Sequence, residues 1–451
     1  MKGLWKRSMA LAWVVAFSAS AIAGAVPQAT SAVVEKGTAA VTKPSDGNLQ
    51  VAITGNSALI KWAEGLSIAQ GQSVRFGWTG SNGNFVVNYV PAGIGQSVIN
   101  GTMAKIQNAA YNNGHVWLIN PSGIAFGQNA VINFNKFSAI AGGVNPVDVY
   151  NFAGSDSTSR YLQLTGNTGT ITMSGGAKFS IGNNVSDYST RLLFVAREIT
   201  IYPGVTISRG TTDGSPSGPQ NASKLTVQLF AAGNMTISDN GVLNNGTSNY
   251  YSDLGKLSVS SSDTAKTNIY ADHITAFGSN VSLGATIYMK NNYSDPNFKR
   301  QSGHIVVAAA DTLDARGLTV ITDRNDVHFN VSGKTIDASN VTLDGAGTTK
   351  WAVNSGAVSD NLDVNDSSIT FSRGRFMANT TIMIGDDYGT GLITKVMPNG
   401  SIWFQTNSFA SGQLDAQMAI QRNWQPSSSG ATTSITGLPT GATTGAAVVT
   451  Q

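Results

Sequence analysis

Apolar and polar residues alternate one by one over long stretches of this chain, and Gly or Asn residues interrupt the stretches. The clearest examples are residues 225–230, 235–241 and 256–262, where Val, Ile, Leu or Met alternates with Thr, Ser or Gln. An alternation of period two places every second side chain on the same face of a β-strand. Helical periodicity is nearly absent, so the pattern predicts an all-β protein.

A short unit recurs along the chain and indicates that the strands repeat. It reads Ala, two variable residues, an apolar residue, Thr and an apolar residue, and it begins at Ala196, Ala232, Ala271 and Ala338, with a degenerate copy at Ala309. Successive units begin 36, 39, 38 and 29 residues apart. These spacings approximate two solenoid coils of about 20 residues each. The sequence therefore predicts a right-handed, single-stranded parallel β-helix (solenoid) with amino-terminal capping strands.

In such a coil Val, Ile, Leu and Ala fill a narrow core, while Thr, Ser and Asn point to solvent. The alternative architecture is a β-sandwich of ordinary hairpins, which needs no recurring unit of this length. The sequence favours the β-helix because it does contain such a unit.

The two ends of the chain differ from the rest. Lys2, Lys6 and Arg7 precede an apolar run at residues 9–17 that is too short to span a bilayer, and two A-x-A patterns follow it. Residues 1–25 are therefore predicted to be a cleaved signal peptide, and the mature chain to begin at position 24 or 26. From residue 426 the chain is rich in Ser, Thr and Gly, which predicts a flexible tail at residues 426–451.

Charge and cysteine content narrow the function classes. The signal peptide holds three of the 28 Lys and Arg residues and no acid, so the mature chain has 25 basic against 25 acidic residues. A neutral chain without a basic stripe gives no support for nucleic-acid binding. The chain has no Cys, so its stability must come from packing and hydrogen bonds. A chain without cross-links is also suited to threading through a narrow pore.

Residues 57–143 contain four distinctive segments. Segment 57–76 has a Trp after an apolar pair and a later Gly-x-Ser-Val-x-Phe strand, segment 85–90 is a further strand, and segment 99–103 is a short Gly turn. Segment 115–133 is an apolar strand, Asn-Pro-Ser-Gly-Ile, an apolar pair, Gly and a second strand. Together they resemble the haemagglutination-activity, or two-partner secretion, domain of filamentous-haemagglutinin exoproteins. The chain lacks the Asn-Pro-Asn-Leu motif of some members, which places it nearer the adhesin-like and haem-acquisition branch. The structural matches are Trp62, Phe76, Asn88 and Trp117. The proposed secretion motif consists of Asn120, Pro121, Ser122, Gly123, Ile124 and Gly127.

The motif reads locally as a tight turn between two strands. Pro121 fixes φ at the first corner, Gly123 permits a positive φ, and the side chain of Asn120 can bond to the turn backbone. Ser122 replaces the Asn that is usual in the family, but it remains a small side chain that can bond to turn backbone. A turn of this kind does not by itself imply a function.

The resemblance implies a secreted or cell-surface protein of a Gram-negative bacterium. Residues 26–210 would be the secretion domain, bound by an outer-membrane barrel transporter with periplasmic recognition domains, and residues 211–425 would be further coils. The domain would be bound in an extended or partly folded form by strand augmentation and would fold outside without nucleotide. The predicted docking strands are the exposed edges at about residues 49–54 and 59–68. The expected function is adhesion to an unknown host, cell-surface or glycan ligand.

Catalysis and ligand capture are the alternatives. Some parallel β-helices cleave polysaccharides with clustered charged residues, and the best such cluster here runs from Asp323 to His328; the other acidic candidates are Asp360, Asp363, Asp366, Asp386 and Asp387. A haem-scavenging protein would need ligands, but the four His residues stand far apart in the sequence. The sequence therefore predicts a protein that is not an enzyme and that holds no metal or cofactor.

Overall fold

The computed structural model describes most of the chain up to residue 355 and short strands after it. The described residues are 31–79, 85–106, 114–154, 161–166, 169–182, 190–209, 225–238, 241–242, 251–290, 303–324, 326–332, 335–337, 341–345, 350–355, 368–370, 375–376, 380–384, 392–397, 401–406 and 424–427.

These residues form strands almost throughout. In chain order the strands are β1 (Ala32–Ser45), β2 (Asn48–Trp62), β3 (Ser73–Trp78), β4 (Phe85–Tyr89), β5 (Ser97–Ile99), β6 (Thr102–Lys105), β7 (His115–Ile119), β8 (Ile124–Phe126), β9 (Val131–Phe134), β10 (Lys136–Ala141), β11 (Tyr161–Leu164), β12 (Thr170–Met173), β13 (Lys178–Ile181), β14 (Thr190–Ala196), β15 (Glu198–Ile201), β16 (Thr206–Arg209), β17 (Leu225–Ser238), β18 (Gly241–Val242), β19 (Tyr251–Leu254), β20 (Lys256–Val259), β21 (Asn268–Tyr270), β22 (His273–Leu283), β23 (Thr286–Met289), β24 (Gly303–Asp314), β25 (Thr319–Thr322), β26 (Asp326–Ser332), β27 (Thr335–Asp337), β28 (Thr342–Gly345), β29 (Lys350–Ser355), β30 (Ser368–Thr370), β31 (Arg375–Phe376), β32 (Thr380–Ile384), β33 (Leu392–Met397), β34 (Ser401–Thr406) and β35 (Trp424–Ser427). One helix, α1 (Pro146–Gly154), interrupts them.

Three stacks of parallel strands form three faces, which the chain visits in turn. Face 1 is β3, β6, β9, β13, β16, β21, β23, β25, β28 and β31. Face 2 is β4, β7, β10, β14, β17, β22, β24, β26, β29 and β32. Face 3 is β5, β8, β12, β15, β20, the second halves of β22 and β24, β27 and β30. The predicted parallel β-helix is confirmed.

The alternation of the sequence decides which side chains fill the solenoid. In β12 Ile171 and Met173 are buried, whereas Thr172 between them is partly exposed. The next coil repeats the pattern, because Ile199 and Ile201 of β15 pair with the two residues of β12 in register. Apolar residues therefore stack on apolar residues along the axis, and each coil extends the apolar column of the coil before it.

Face 2 is apolar on its outer side as well as its inner side. Phe85 of β4 and Trp117 of β7 point outward into a second hydrophobic cluster that is separate from the solenoid core. Helix α1 contributes Phe152 to this cluster, and β11 contributes Leu162. The outer half of β17, which includes Met235, leaves the solenoid and pairs antiparallel with β11. Helix α1, β11 and the outer half of β17 thus cover the outer side of face 2 in the early coils. This burial on both sides explains why the strands of face 2 lack the alternation of apolar and polar residues.

The amino end of the solenoid is capped by a hairpin. Strand β1 pairs antiparallel with β2, and Ala32, Ala39 and Val41 of β1 pack against the first layer of the core. Strand β2 also pairs with β3 and β4 on its other side, and Leu49 and Leu59 are buried. The prediction of exposed edges is therefore wrong for residues 50–53 and 59–61 of the folded chain, because β1 pairs with them on one side and β3 or β4 on the other.

The predicted repeat has the wrong period. Ala196 of β14 pairs with Ala231 of β17, so 35 residues make one coil rather than two. The coil is long because residues 210–224 are inserted after β16. The unit that begins at Ala232 lies outside the solenoid, since Met235 and Ile237 pair antiparallel with β11. Insertions of different length therefore hide the period from any comparison along the sequence.

The predicted segments at the two ends are placed as follows. The signal peptide, residues 1–25, and the tail beyond residue 427 lie outside the described residues. Within the described part of the chain, no helix is both long enough and apolar enough to cross a bilayer. Strands β14 and β17 lie on either side of the predicted domain boundary at residue 210 and pair with each other. The division of the chain into a secretion domain and further coils stays a prediction.

Candidate functional site

The proposed secretion motif forms a closed turn at the corner between faces 2 and 3. The backbone N of Gly123 donates to the carbonyl of Asn120 at 3.0 Å, and the N of Ser122 donates to Asn120 Oδ1 at 2.8 Å. Pro121 occupies the first corner, where its ring fixes φ. The turn geometry predicted from these four residues is confirmed.

Asn120 also connects the turn to the preceding coil. Its Nδ2 donates to the carbonyl of Gly95 and to Ser97 Oγ, both at 2.9 Å, and the side chain is fully buried. The backbone N of Ser97 in turn donates to the carbonyl of Gly123 at 3.0 Å. On the other side, the N of Asn120 donates to the carbonyl of Ile140 at 2.9 Å. The side chain of Asn120 thus joins the turn to the preceding coil, and the backbone of Asn120 joins the turn to the next coil.

The two glycines of the motif are required for different reasons. Gly123 has a φ of 113°, which only glycine adopts at no steric cost. A Cβ on Gly127 would lie 2.3 Å from Oδ1 of Asn100, which accepts a hydrogen bond from the backbone N of Asn129 at 3.1 Å. Between them Ile124 is fully buried in the core. The glycines therefore permit the tight stacking of turns that the motif needs.

A second network lies inside the first coils. Trp62 Nε1 donates to Asn88 Oδ1 at 3.1 Å, and Asn88 Nδ2 donates to the carbonyl of Trp117 at 3.1 Å. Asn88 and Trp62 are both fully buried, so neither can exchange these bonds for water. Phe76 packs nearby in the core against Phe134, with ring centroids 5.8 Å apart. The hydrogen bonds of Trp62 and Asn88 therefore hold β2, β4 and β7 of the first three coils in register.

Replacement of Trp62 by Phe is expected to lower the free energy of unfolding by about 2 kcal/mol, because Oδ1 of the buried Asn88 loses its donor. The matched control is Trp117→Phe. Trp117 Nε1 has no hydrogen-bond partner among the described residues, so this change leaves no new group unpaired. Chemical denaturation of the two variants measures the difference, and equal losses would contradict the role given to the Trp62 bond.

The predicted site residues form a framework rather than one pocket. Trp62, Val90 and Asn120 occupy the same corner on three successive coils. Each directly follows a residue of β2, β4 or β7, and these three preceding residues pair with one another in register. Trp117 instead points to the outer cluster of face 2, and Phe76 lies in the core behind face 1. The division of these residues between two hydrophobic clusters follows only from the coil register.

The residues considered for catalysis or metal binding take part in other contacts or lie outside the described residues. Arg324 of the Asp323–His328 cluster forms an ion pair with Asp272, and His328 stacks on His304. The remaining acidic candidates, at positions 360, 363, 366, 386 and 387, lie outside the described residues. Among the described residues no three His, Asp or Glu side chains are arranged to hold a metal ion.

Three histidines form a column that the sequence did not predict. His273, His304 and His328 are far apart in the chain, yet they pair in register on β22, β24 and β26. Their rings stack with centroids 5.1 and 4.9 Å apart. No spacing rule could have found them, because the coils that separate them differ in length.

The fold and these corners define a parallel β-helix protein. No family model matches the chain, and no curated protein is similar to it in sequence. The solved structures that are similar to it in fold include two secretion domains. The HMW1 secretion domain from Haemophilus influenzae has a TM-score of 0.48 and 15% identity, with 85% of this chain and 93% of that chain covered. The filamentous hemagglutinin secretion domain has a TM-score of 0.35 and 11% identity, with 79% and 97% covered.

Proposed function

We propose that this protein is an exoprotein of the two-partner secretion class, exported across the outer membrane of a Gram-negative bacterium through a dedicated barrel. Its amino-terminal coils direct export, and its later coils serve as a surface-binding or adhesive shaft. It acts by binding rather than by catalysis, and it is released or held outside the cell.

One observation carries the proposal. The segments that resemble a secretion domain lie on successive coils, with β2, β4 and β7 paired in register. The Asn120 turn is bonded into this stack on both sides, through Ser97 and Ile140. The residues of the resemblance therefore act together in building the amino-terminal coils, next to the predicted signal peptide.

The buried state of β2 bears on how the barrel recognises the chain. Residues 49–54 can accept a strand from a recognition domain only when β1 and β3 are not paired with them. We therefore place recognition before folding, on the extended chain in the periplasm. Outside the cell each coil that forms offers paired backbone groups to the next coil, which gives the transit a direction without nucleotide.

The adhesive part of the proposal concerns the surfaces after β16. The stacked coils supply a rigid support on which loops can contact a host, cell-surface or glycan ligand. The loops at residues 210–222 and 290–302 are the proposed contact segments. All of their residues except Lys290 lie outside the described residues.

The test is secretion of the full chain by a host that carries or lacks the candidate barrel. We expect release into the medium only when the barrel is present, and accumulation in the periplasm without it. An ordinary periplasmic protein measured in the same cultures reports leakage. Equal release from both hosts would contradict the export proposal and leave only an architectural likeness.

A further inference from the structure

A group of charged and titratable residues lies at one corner between faces 1 and 2. Asp272 precedes β22, and Arg324 follows β25, two coils later. Arg324 Nη2 lies 2.5 Å from Asp272 Oδ1, and the two side chains are only 1% and 3% exposed. The ion pair therefore joins two coils that are not adjacent, since the coil of β23 and β24 lies between them.

The three stacked histidines begin at the same corner. His273 follows Asp272 directly, and His304 and His328 continue the column on the next two coils, with their ring planes 13° apart. The backbone N of His304 also donates to the carbonyl of Asp272 at 3.0 Å. We name these five residues, Asp272, His273, His304, Arg324 and His328, the histidine corner.

The surroundings of the column disfavour positive charge on its first ring. Thr226 of β17 stands before His273 in the column, and Arg191 of β14 stands one coil earlier still. Asp323 lies next to Arg324, and Lys290 follows β23. Burial lowers the pKa of His273, and the positive charge of Arg324 lowers it further.

We propose that the histidine corner is an acid-sensitive latch that holds the coils of β22, β24 and β26 together at neutral pH and loosens them before the amino-terminal coils when the pH falls. Protonation of neighbouring rings puts like charges about 5 Å apart, where they repel. It also adds positive charge beside Arg324, which competes for Asp272. Both effects act on the same three coils.

The direction of the pH dependence follows from the lowered pKa. Folded His273 binds a proton less readily than it does in the unfolded chain, whose pKa is near 6.5. Its contribution to stability is therefore complete above that pH. The contribution is lost as the pH falls from the unfolded value through the lower value of the folded state.

Hydrogen exchange of the full mature chain measures the proposed loosening strand by strand. We expect protection in β22, β24 and β26 to fall at least about tenfold more than in β4, β7 and β10 between about pH 7.5 and pH 5, after correction for intrinsic rates. An equal loss in both sets of strands would overturn the proposal.

Two substitutions identify the groups responsible. His304→Gln removes the central ring of the stack and is expected to reduce the pH-dependent difference between the two sets of strands. The matched control is His115→Gln, which removes a histidine of the same column outside the corner, where it bonds to Ser138 Oγ at 2.8 Å. If His304→Gln keeps the full difference, the latch is not made by the histidines. A histidine titration of the wild-type chain is the independent measurement, and an apparent pKa of His273 at or above 6.5 would also overturn the proposal.

Discussion

Replacement of Trp117 by alanine is expected to lower the free energy of unfolding by about 4 kcal/mol, the usual cost of truncating a fully buried aromatic residue. The indole is fully buried in the outer cluster of face 2. Its ring centroid lies 4.9 Å from that of Phe152 on α1 and 5.9 Å from that of Phe85. Removal leaves a cavity between the solenoid and the helix that covers it. Chemical denaturation measures the loss, and hydrogen exchange of α1 shows whether the cover detaches.

The control for this prediction is an aromatic residue without such contacts. Tyr202 follows β15 and is 42% exposed, so Tyr202→Ala is expected to change the free energy of unfolding by no more than about 1 kcal/mol. If Trp117→Ala costs no more than this control, the outer cluster contributes little to stability. The helix and β11 would then be loose appendages rather than part of the fold.

Replacement of Asn120 by alanine is expected to cost about 3 kcal/mol, because it removes several buried hydrogen bonds at one corner. The Gly95 carbonyl and Ser97 Oγ lose a donor, and the backbone N of Ser122 loses an acceptor. Export is expected to fail as well, with the chain retained in the periplasm. Denaturation of the refolded chain and the fraction released through the barrel measure the two effects.

Ser122→Ala is the matched control, because the described hydrogen bond of Ser122 in the turn is made by its backbone N, which alanine keeps. This variant is expected to lie within about 0.5 kcal/mol of the wild type and to be exported normally. Loss of stability without loss of export in Asn120→Ala would show that the turn serves the fold alone. Loss of export without loss of stability would assign the turn to recognition.

Local features could be predicted from the sequence because they depend on neighbouring residues. The alternation of apolar and Thr residues predicted strands such as β12 and β15, with Ile171 and Ile199 inside. The turn at Asn120 was predicted with its side-chain bond and its positive φ at Gly123. Both follow from backbone sterics and short-range hydrogen bonding, which act within a few residues.

The coil register could not be predicted in the same way. The unit at Ala232 resembles a coil strand in composition, yet it pairs with β11 outside the solenoid. Its apolar residues find a partner in the outer cluster, which exists only because α1 and β11 are inserted between β10 and β12. Alternation says that one side of a strand is buried, but it does not say against which surface.

The sequence by itself determined that this protein is a β-solenoid with a tight Asn-Pro-Ser-Gly turn, because strand alternation and turn chemistry are local. The tertiary structure alone decided which strands share a face, that β1 pairs with part of the predicted docking strands, and that His273, His304 and His328 form one column. The physical reason is that coils stack by long-range backbone pairing, while insertions of unequal length set the distance along the chain between partners. The same reason separates Asp272 from Arg324 by two coils in sequence and joins them in space.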